Sequence, residues 1–514
     1  MFSKVKSCAV HGVDGRMIDV EADVNDGLPV FTMVGYLSSS VREASERVRT
    51  ALKNSGFHLP PKRITINLSP ADMRKDGSGY DLAIATAVLL SLGVTAELPM
   101  EQTLVLGELS LDGSIKAIPG VLPMVICARE EGMTSCIVPK ENVQEAALVQ
   151  GISVIGVSSL QETMEYIQGI KEYENTNVRK PAVDTSEYLY DIDFSDVAGQ
   201  ESIKRGMEIA AAGFHNVLLT GAAGAGKSML AKRLPTILPQ MSFEESLEVT
   251  KIYSVGGMLP PEGGLIHRRP FRAPHHTISE YALIGGGRVP TPGEVSFAHY
   301  GVLFLDELPE FSKPVLEVLR QPLEDRRIRI SRVQASYEFP ADFMFVAAMN
   351  PCPCGNYPDY RRCSCTEQQI RRYQSKVSGP LLDRIDIRME VKGVKQEALF
   401  SKQKTESSKT IRARVEQARQ MQKERFAGTG LLFNSQLDGK NLEEYITLSA
   451  EGKRLVLQLF EEQELSVRGV HRVLKLARTI ADLAGSEEIE NAHLQEAAFY
   501  RNQDVFAKEV LYGN

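Results

Sequence analysis

Val217-Leu218-Leu219-Thr220-Gly221-Ala222-Ala223-Gly224-Ala225-Gly226-Lys227-Ser228 decides the fold of this chain. The apolar run Val217 to Leu219 predicts a buried strand, and Met229-Leu230-Ala231 opens a helix just beyond. Between them, Gly221, Ala222, Ala223, Gly224, Ala225 and Gly226 form a loop whose small side chains let backbone N–H groups turn inward around phosphate oxygens. Lys227 adds a point charge to the same oxygens, and Ser228 offers a hydroxyl to Mg²⁺. The pattern predicts a nucleotide triphosphate site on an α/β domain.

Residues for hydrolysis follow. Gly301-Val302-Leu303-Phe304-Leu305-Asp306-Glu307 is a buried strand ending in two carboxylates. Asp306 suits Mg²⁺, and Glu307 suits the attacking water. A second apolar run, Phe343 to Met349, ends in Asn350, an amide able to bond the γ-phosphate or the water in the manner of an AAA+ sensor. Arg384, in Ser378-Gly379-Pro380-Leu381-Leu382-Asp383-Arg384-Ile385-Asp386, would stabilise transition-state charge if delivered to a neighbouring subunit; the alternative is an ion pair with Asp383 or Asp386. Ser466 reads as the N-cap of a helix whose apolar face is Val467, Val470, Leu474, Ala477 and Ala481. Arg468 and Arg472 share another face, either as lid residues reporting on the γ-phosphate or as a solvated basic stripe. Asp196-Val197-Ala198-Gly199-Gln200 is expected to line the base pocket through Val197.

At 514 residues the chain is too long for one core, and 43% hydrophobic with 24% charged residues is a globular balance. A net charge of −7 confines any nucleic-acid contact to a local patch or inner channel. The first residues lack a signal-peptide core, and Leu82 to Leu92 is far short of a membrane span, which predicts a cytoplasmic location with no membrane partner. Polar seams divide the chain into an α/β block 1–170, a linker 171–190, a P-loop α/β core 191–393, a connector 394–410 and a helical block 411–514. In the first block, Ser40-Val41-Arg42-Glu43 has the form of a capping box, and Asp112-Gly113 turns a strand pair. The long interval between Lys227 and Asp306 predicts an insertion, 254–299, built as a projecting loop rather than core. His275 and His276 lie inside it and are taken as structural, because adjacent side chains diverge.

These segments resemble the YifB/ComM family of magnesium-chelatase-like AAA+ ATPases over essentially the whole chain. The carriers are Arg272-Ala273-Pro274-His275-His276, Gly293-Glu294-Val295-Ser296, Leu305 to Phe311, Met349-Asn350-Pro351-Cys352-Pro353-Cys354-Gly355, and Ser378 to Asp386. The resemblance implies a ring, expected to be a hexamer, with ATP and Mg²⁺ as cofactors, Arg384 as a finger in trans and Arg468 as the lid sensor. For the better-understood members it implies ATP-driven branch migration of DNA strands during natural transformation.

Arg327-Ile328-Arg329-Ile330-Ser331-Arg332 alternates and is followed by Tyr337-Glu338-Phe339, predicting a hairpin before the sensor strand. Arg327, Arg329 and Arg332 are candidate contacts to single-stranded or branched DNA, sequence-independent and salt-sensitive. A solvated sheet face or ion pairs between subunits would use the same residues. Four of seven cysteines, Cys352, Cys354, Cys363 and Cys365, form two C-x-C pairs that suit a tetrahedral Zn²⁺ site, the alternative being reduced structural thiols.

The first block resembles the Lon proteolytic domain at Arg74 to Ala83 and Ile118 to Leu122. The Lon nucleophile position falls on Gly79 and the lysine position on Leu122, so proteolysis is not expected, and assembly or DNA binding is. The motifs leave two readings of the motor, one moving DNA and one remodelling a partner protein as the chelatase motor does.

Overall fold

The computed structural model describes residues 1–172, 190–260, 264–332, 335–393, 405–462 and 465–501. The expected linker 171–190 and connector 394–410 lie largely outside them.

The N-terminal block is a mixed sheet of seven strands in the order Phe31–Val34, Arg63–Ser69, Asp14–Asn25, Phe2–His11, Thr103–Val105, Ser135–Pro139, Ser153–Val157. Ile18, Val20, Ala22 and Val24 alternate toward one core, shared with the wholly buried helix Asp81–Ser91. Cys8 and Leu104 face a second core, against the helix Val121–Glu130. The expected capping box at Ser40-Val41-Arg42-Glu43 does not form, because the helix starts earlier. Ser38 is the N-cap, accepting from Val41 N, and the helix is interrupted at Glu43 before resuming as Ala44–Asn54. The Asp112-Gly113 turn joins Glu108–Leu109 to Ile115–Lys116, whereas Thr103–Val105 belongs to the main sheet.

In the central block five strands, all neighbours parallel, run Phe271–Arg272, Val302–Leu305, Met344–Met349, Val217–Thr220, Ile387–Glu390. Alternation puts Val217, Leu219, Phe304 and Val346 on one face and Leu218, Leu303, Leu305 and Phe345 on the other. Both faces are covered, as an all-parallel sheet requires. The first face is closed by Glu201–Gly213 and by two C-terminal helices, Ser408–Arg425 and Val467–Leu483. Ser466 caps the last of these as expected, accepting from Gly469 N at 3.1 Å. Its buried face is Val473, Leu476, Ala477, Ile480 and Ala481, while Val467 is 65% exposed, so the helix is rotated from the expected stripe.

The segment 254–299 is only partly an insertion. Phe271–Arg272 pairs with Val302–Leu303 and is a core strand, too short to show a period. Gly285–Gly286 and Thr291–Pro292 form the small hairpin that the glycines foretold.

Asp386 ties the C-terminal helices to the sheet. It accepts from Arg472 Nη1 at 2.6 Å and from Asn216 N at 3.1 Å, with His215 Nδ1 3.6 Å away. Burial would raise this carboxyl, but Arg472, His215 and Lys475 outweigh it and hold it far below the usual carboxylate range. Its contribution is therefore complete above about pH 4 and falls as pH drops below that. Asp386→Ala leaves Arg472, 18% exposed, and Asn216 N without their acceptor, and urea titration should show a loss of about 1–3 kcal/mol at pH 7.

Candidate active site

Because the strands are parallel, their C-terminal ends share one edge, and register aligns Thr220 with Met349 and Leu305 with Ala347. Gly221, Asn350 and Asp306 therefore emerge side by side. Lys227 Nζ donates to Gly221 O at 2.7 Å, Ala222 O at 2.9 Å and Asn350 Oδ1 at 3.0 Å. Burial lowers the Lys227 ammonium, and Asp306 and Glu307 partly offset this. Such an ammonium is poised to regain charge stabilisation from a phosphate.

Ser228 Oγ donates to Asp306 Oδ2 at 2.5 Å, so a hydroxyl and a carboxylate converge as hard oxygen donors suited to Mg²⁺. Glu307 adopts φ +53°, its N–H donating to Asp306 Oδ1 at 2.9 Å, and the turn leaves its carboxylate 58% exposed. Exposure is what a base reaching for water needs. Ala222, Ala223 and Gly224 are exposed along the loop, and Ala225 is buried beneath it. Gln200 Nε2 donates to Ala225 O at 3.3 Å and to Lys392 O at 3.1 Å, which fastens the 196–200 segment beside the loop. Val197 itself is 1% exposed and packs in the core with Leu230, so its side chain does not line an open base pocket.

The expected lid arginines lie elsewhere. Asn216, just before Val217–Thr220, donates from Nδ2 to Arg384 O at 2.9 Å, which puts Arg384 at the opposite edge of the sheet. Four strand residues, about 13 Å, separate that edge from Gly221. Arg384, Arg468 and Arg472 line one cleft of ≈ 250 Å³ there, together with Glu324 and Lys475 and without any phosphate-loop residue. Arg468 and Arg472 thus do not reach this chain's own phosphate loop, because the helix that carries them docks across Asp386 at the strand starts. Arg384 pairs with Glu324 rather than with Asp383 or Asp386, and its Nη1 donates to Pro380 O at 2.7 Å. Arg468 Nη2 sits 3.8 Å from the other oxygen of Glu324. Glu324 carried no signal in the sequence, since it lies in a helix with no motif.

His276 Nδ1 is 3.9 Å from Glu307 Oε2, and its ring centroid is 4.0 Å from that of His275. The side chains do not diverge as expected, because this segment is an irregular loop after Phe271–Arg272 and not a strand.

The predicted hairpin forms, Arg327–Ser331 against Ser336–Pro340. Arg327 and Arg329 both pair with Glu338 across it, at 2.9 and 3.2 Å. Arg332 Nη2 donates to Gly287 O at 3.0 Å, and Tyr337 stacks on His11 at 4.5 Å. In the N-terminal block Ser78 Oγ donates to the Glu108 carboxylate. The four clustered cysteines gather with all Sγ atoms within 4.8 Å of one another. Among the described residues no helix is long and apolar enough to cross a membrane.

Comparison with known proteins agrees with this geometry. Residues 193–399 match the family model for magnesium chelatase, subunit ChlI; residues 20–142 match that for subunit ChlI of Mg-chelatase, and residues 405–501 its C-terminal model. The chain is 41% identical over 504 residues to the uncharacterized protein YifB of Escherichia coli, covering 98% of this chain and 97% of that one. It is 40% identical over 502 residues to the competence protein ComM of Haemophilus influenzae, covering 97% of each. A partial likeness, 30% over 183 residues and 32% of each chain, joins it to Lon protease 2 of Bacillus subtilis. The chain belongs to the magnesium-chelatase-like AAA+ ATPases of the YifB and ComM kind.

Proposed function

We propose that this chain is a ring-forming, cytoplasmic ATPase motor that moves DNA strands without sequence preference, in recombination or in uptake of DNA as the name of the Haemophilus relative suggests. The observation that carries the motor reading is the convergence of Lys227, Ser228, Asp306, Glu307 and Asn350 at one sheet edge. Ser228 and Asp306 would hold Mg²⁺, which would supply neutralisation of the phosphate charge. Lys227 and the loop amides hold the β- and γ-phosphates, Asn350 orients the γ-phosphate or the water, and Glu307 takes the water's proton. Zinc at the four thiols completes the cofactor set. No proteolysis is assigned to the N-terminal domain, because the Lon resemblance puts the nucleophile position on Gly79 and the lysine position on Leu122.

Arg384 belongs to the neighbouring subunit's reaction. Its own phosphate loop is a strand's length away, and a ring, with six copies as the expected number, brings another loop to the cleft of Arg384, Arg468 and Arg472. In the single chain Arg384 is stowed, 9% exposed and bound to Glu324. DNA contact falls to the Arg327–Ser331/Ser336–Pro340 hairpin, where Arg332 is paired with a carbonyl and not a carboxylate. The pairing of Arg327 and Arg329 with Glu338 favours the second reading, a motor that remodels a partner protein.

Three measurements test this. Glu307→Gln should lower kcat by about 10²-fold or more while nucleotide affinity changes by less than about threefold. Single-stranded or four-way-junction DNA should stimulate the ATPase, and Arg332→Ala should remove the stimulation while the DNA-free rate holds; equal loss of both rates rejects the DNA contact, and an ATPase indifferent to DNA supports the remodelling motor. Glu324→Gln should release Arg384, so that half-maximal ATPase is reached at a protein concentration about two- to fivefold lower, the range of an exposed ion pair, whereas Arg384→Ala should abolish turnover at any concentration.

A further inference from the structure

Cys352, Cys354, Cys363 and Cys365 lie directly after the sensor strand, with Pro351 alone between Asn350 and the first of them. Sγ–Sγ separations are 3.4 Å for Cys352 to Cys354, 3.7 Å for Cys352 to Cys363 and 3.6 Å for Cys354 to Cys363. Four thiolates about 2.3 Å from a tetrahedral Zn²⁺ stand about 3.8 Å apart, so the set is already near coordination distance, and it is too open for disulfides of about 2.05 Å. Outer donors are in place as well. Tyr357 N donates to Cys352 Sγ at 3.4 Å, and Asn356 Nδ2 lies 3.8 Å from Cys354 Sγ. Hydrogen bonds of this kind orient thiolate ligands.

The loop that carries these ligands rests on the phosphate loop. Gly355, between Cys354 and Asn356, has φ +79°, and a Cβ placed on it would stand 3.3 Å from Ala223 N and 3.8 Å from Asn350 Cγ. The left-handed backbone at Gly355 favours glycine there and turns the cysteine loop against Ala223. Gly355 N also donates to Cys352 O at 3.0 Å, closing the turn, and Gln374 Nε2 holds Pro351 O at 2.9 Å. Asn350 in turn accepts from Lys227. Two routes therefore run from the thiols to the nucleotide site: along the chain through Pro351 to Asn350, and through space from Gly355 to Ala223.

We propose that zinc bound by these four cysteines is a clamp that fixes Asn350 and the phosphate loop in the nucleotide-binding arrangement, so that metal occupancy sets nucleotide affinity. This rests on the zinc reading above and goes beyond it. An ordinary structural zinc would hold only its own loop. Here the metal removes the freedom of a segment that would otherwise be ordered at the moment of phosphate binding, and that ordering would weaken affinity. The ligands act through Asn350 and Ala223 and do not touch the reacting atoms.

The test uses the full chain, a fluorescent ADP analogue and a zinc assay by atomic absorption. The expected result is one zinc per chain, an affinity for the analogue at least tenfold weaker after chelator stripping, and recovery on adding zinc but not magnesium alone. Less than half an equivalent of zinc in the untreated protein overturns the zinc reading and the clamp with it. One equivalent of zinc whose removal changes affinity by less than twofold overturns the clamp alone. Should the stripped chain aggregate, Cys365→Ser, which removes one zinc ligand, decides the matter. Zinc below half an equivalent with affinity at least fivefold weaker supports the clamp, and the same loss of zinc with affinity within twofold of the unsubstituted chain rejects it.

Discussion

Parallel alignment of the five central strands is the constraint from which the rest follows. A parallel sheet has chemically different edges. At the C-terminal edge the chain leaves each strand into a loop, and three such exits deliver the phosphate loop, the carboxylate pair and the sensor amide to one place. At the N-terminal edge the arriving chains deliver Arg384, Asn216 and Asp386. Phosphate-binding groups and arginines therefore cannot meet within one chain, since a strand's length of about 13 Å lies between them.

Asp386 decides where the lid goes. A buried carboxylate needs partners. Asn216 N satisfies one oxygen from the sheet, and Arg472 satisfies the other from the C-terminal helix. The same helix packs Val473, Leu476 and Ile480 into the core that holds Val217 and Phe304, so the lid is part of the sheet's own hydrophobic cluster. Arg468, one turn from Arg472, is thereby committed to the Arg384 edge. Glu324 completes the arrangement: one carboxylate holds Arg384 and lies within 3.8 Å of Arg468, so Arg384 can leave without stranding a charge on its former partner.

What was legible in the sequence was whatever repeats a local rule. The phosphate loop, the Asp306-Glu307 strand end, Asn350, the Ser466 cap and the arginine hairpin each declare themselves by spacing within a dozen residues. What was illegible depends on neighbours distant along the chain. The strand Phe271–Arg272 is two residues long and exists only because Val302–Leu303 pairs with it. Val197 looked like a pocket residue because its segment abuts the loop, and only the packing of Leu230 and Phe194 shows that its side chain points inward. The helix pattern gave Arg468 and Arg472 a shared face but not the direction in which the helix lies, which only its docking on Asp386 shows. The ion pair of Arg384 could not be guessed, since Glu324 is 60 residues away. The rings of His275 and His276 lie 4.0 Å apart rather than diverging, because adjacent residues in an irregular loop need not face opposite ways.

The N-terminal domain is joined to the motor at two kinds of contact, and their chemistry differs. One is a firm polar seam: Ser254 Oγ donates to the buried Glu145 at 2.6 Å, and Gly120 N donates to Ser254 O at 2.9 Å. Burial raises the Glu145 carboxyl against the hydrogen bonds of Ser254 and Asn142, and a group so enclosed is costly to separate from its donors. The other is an apolar contact at the arginine hairpin, where Val13 packs with Phe339, Ile252 and Phe297, His11 stacks on Tyr337 and Gly12 lies against Glu338. The helix Phe243–Val255 ends in the first seam, while the hairpin leads directly into the sensor strand that ends at Asn350.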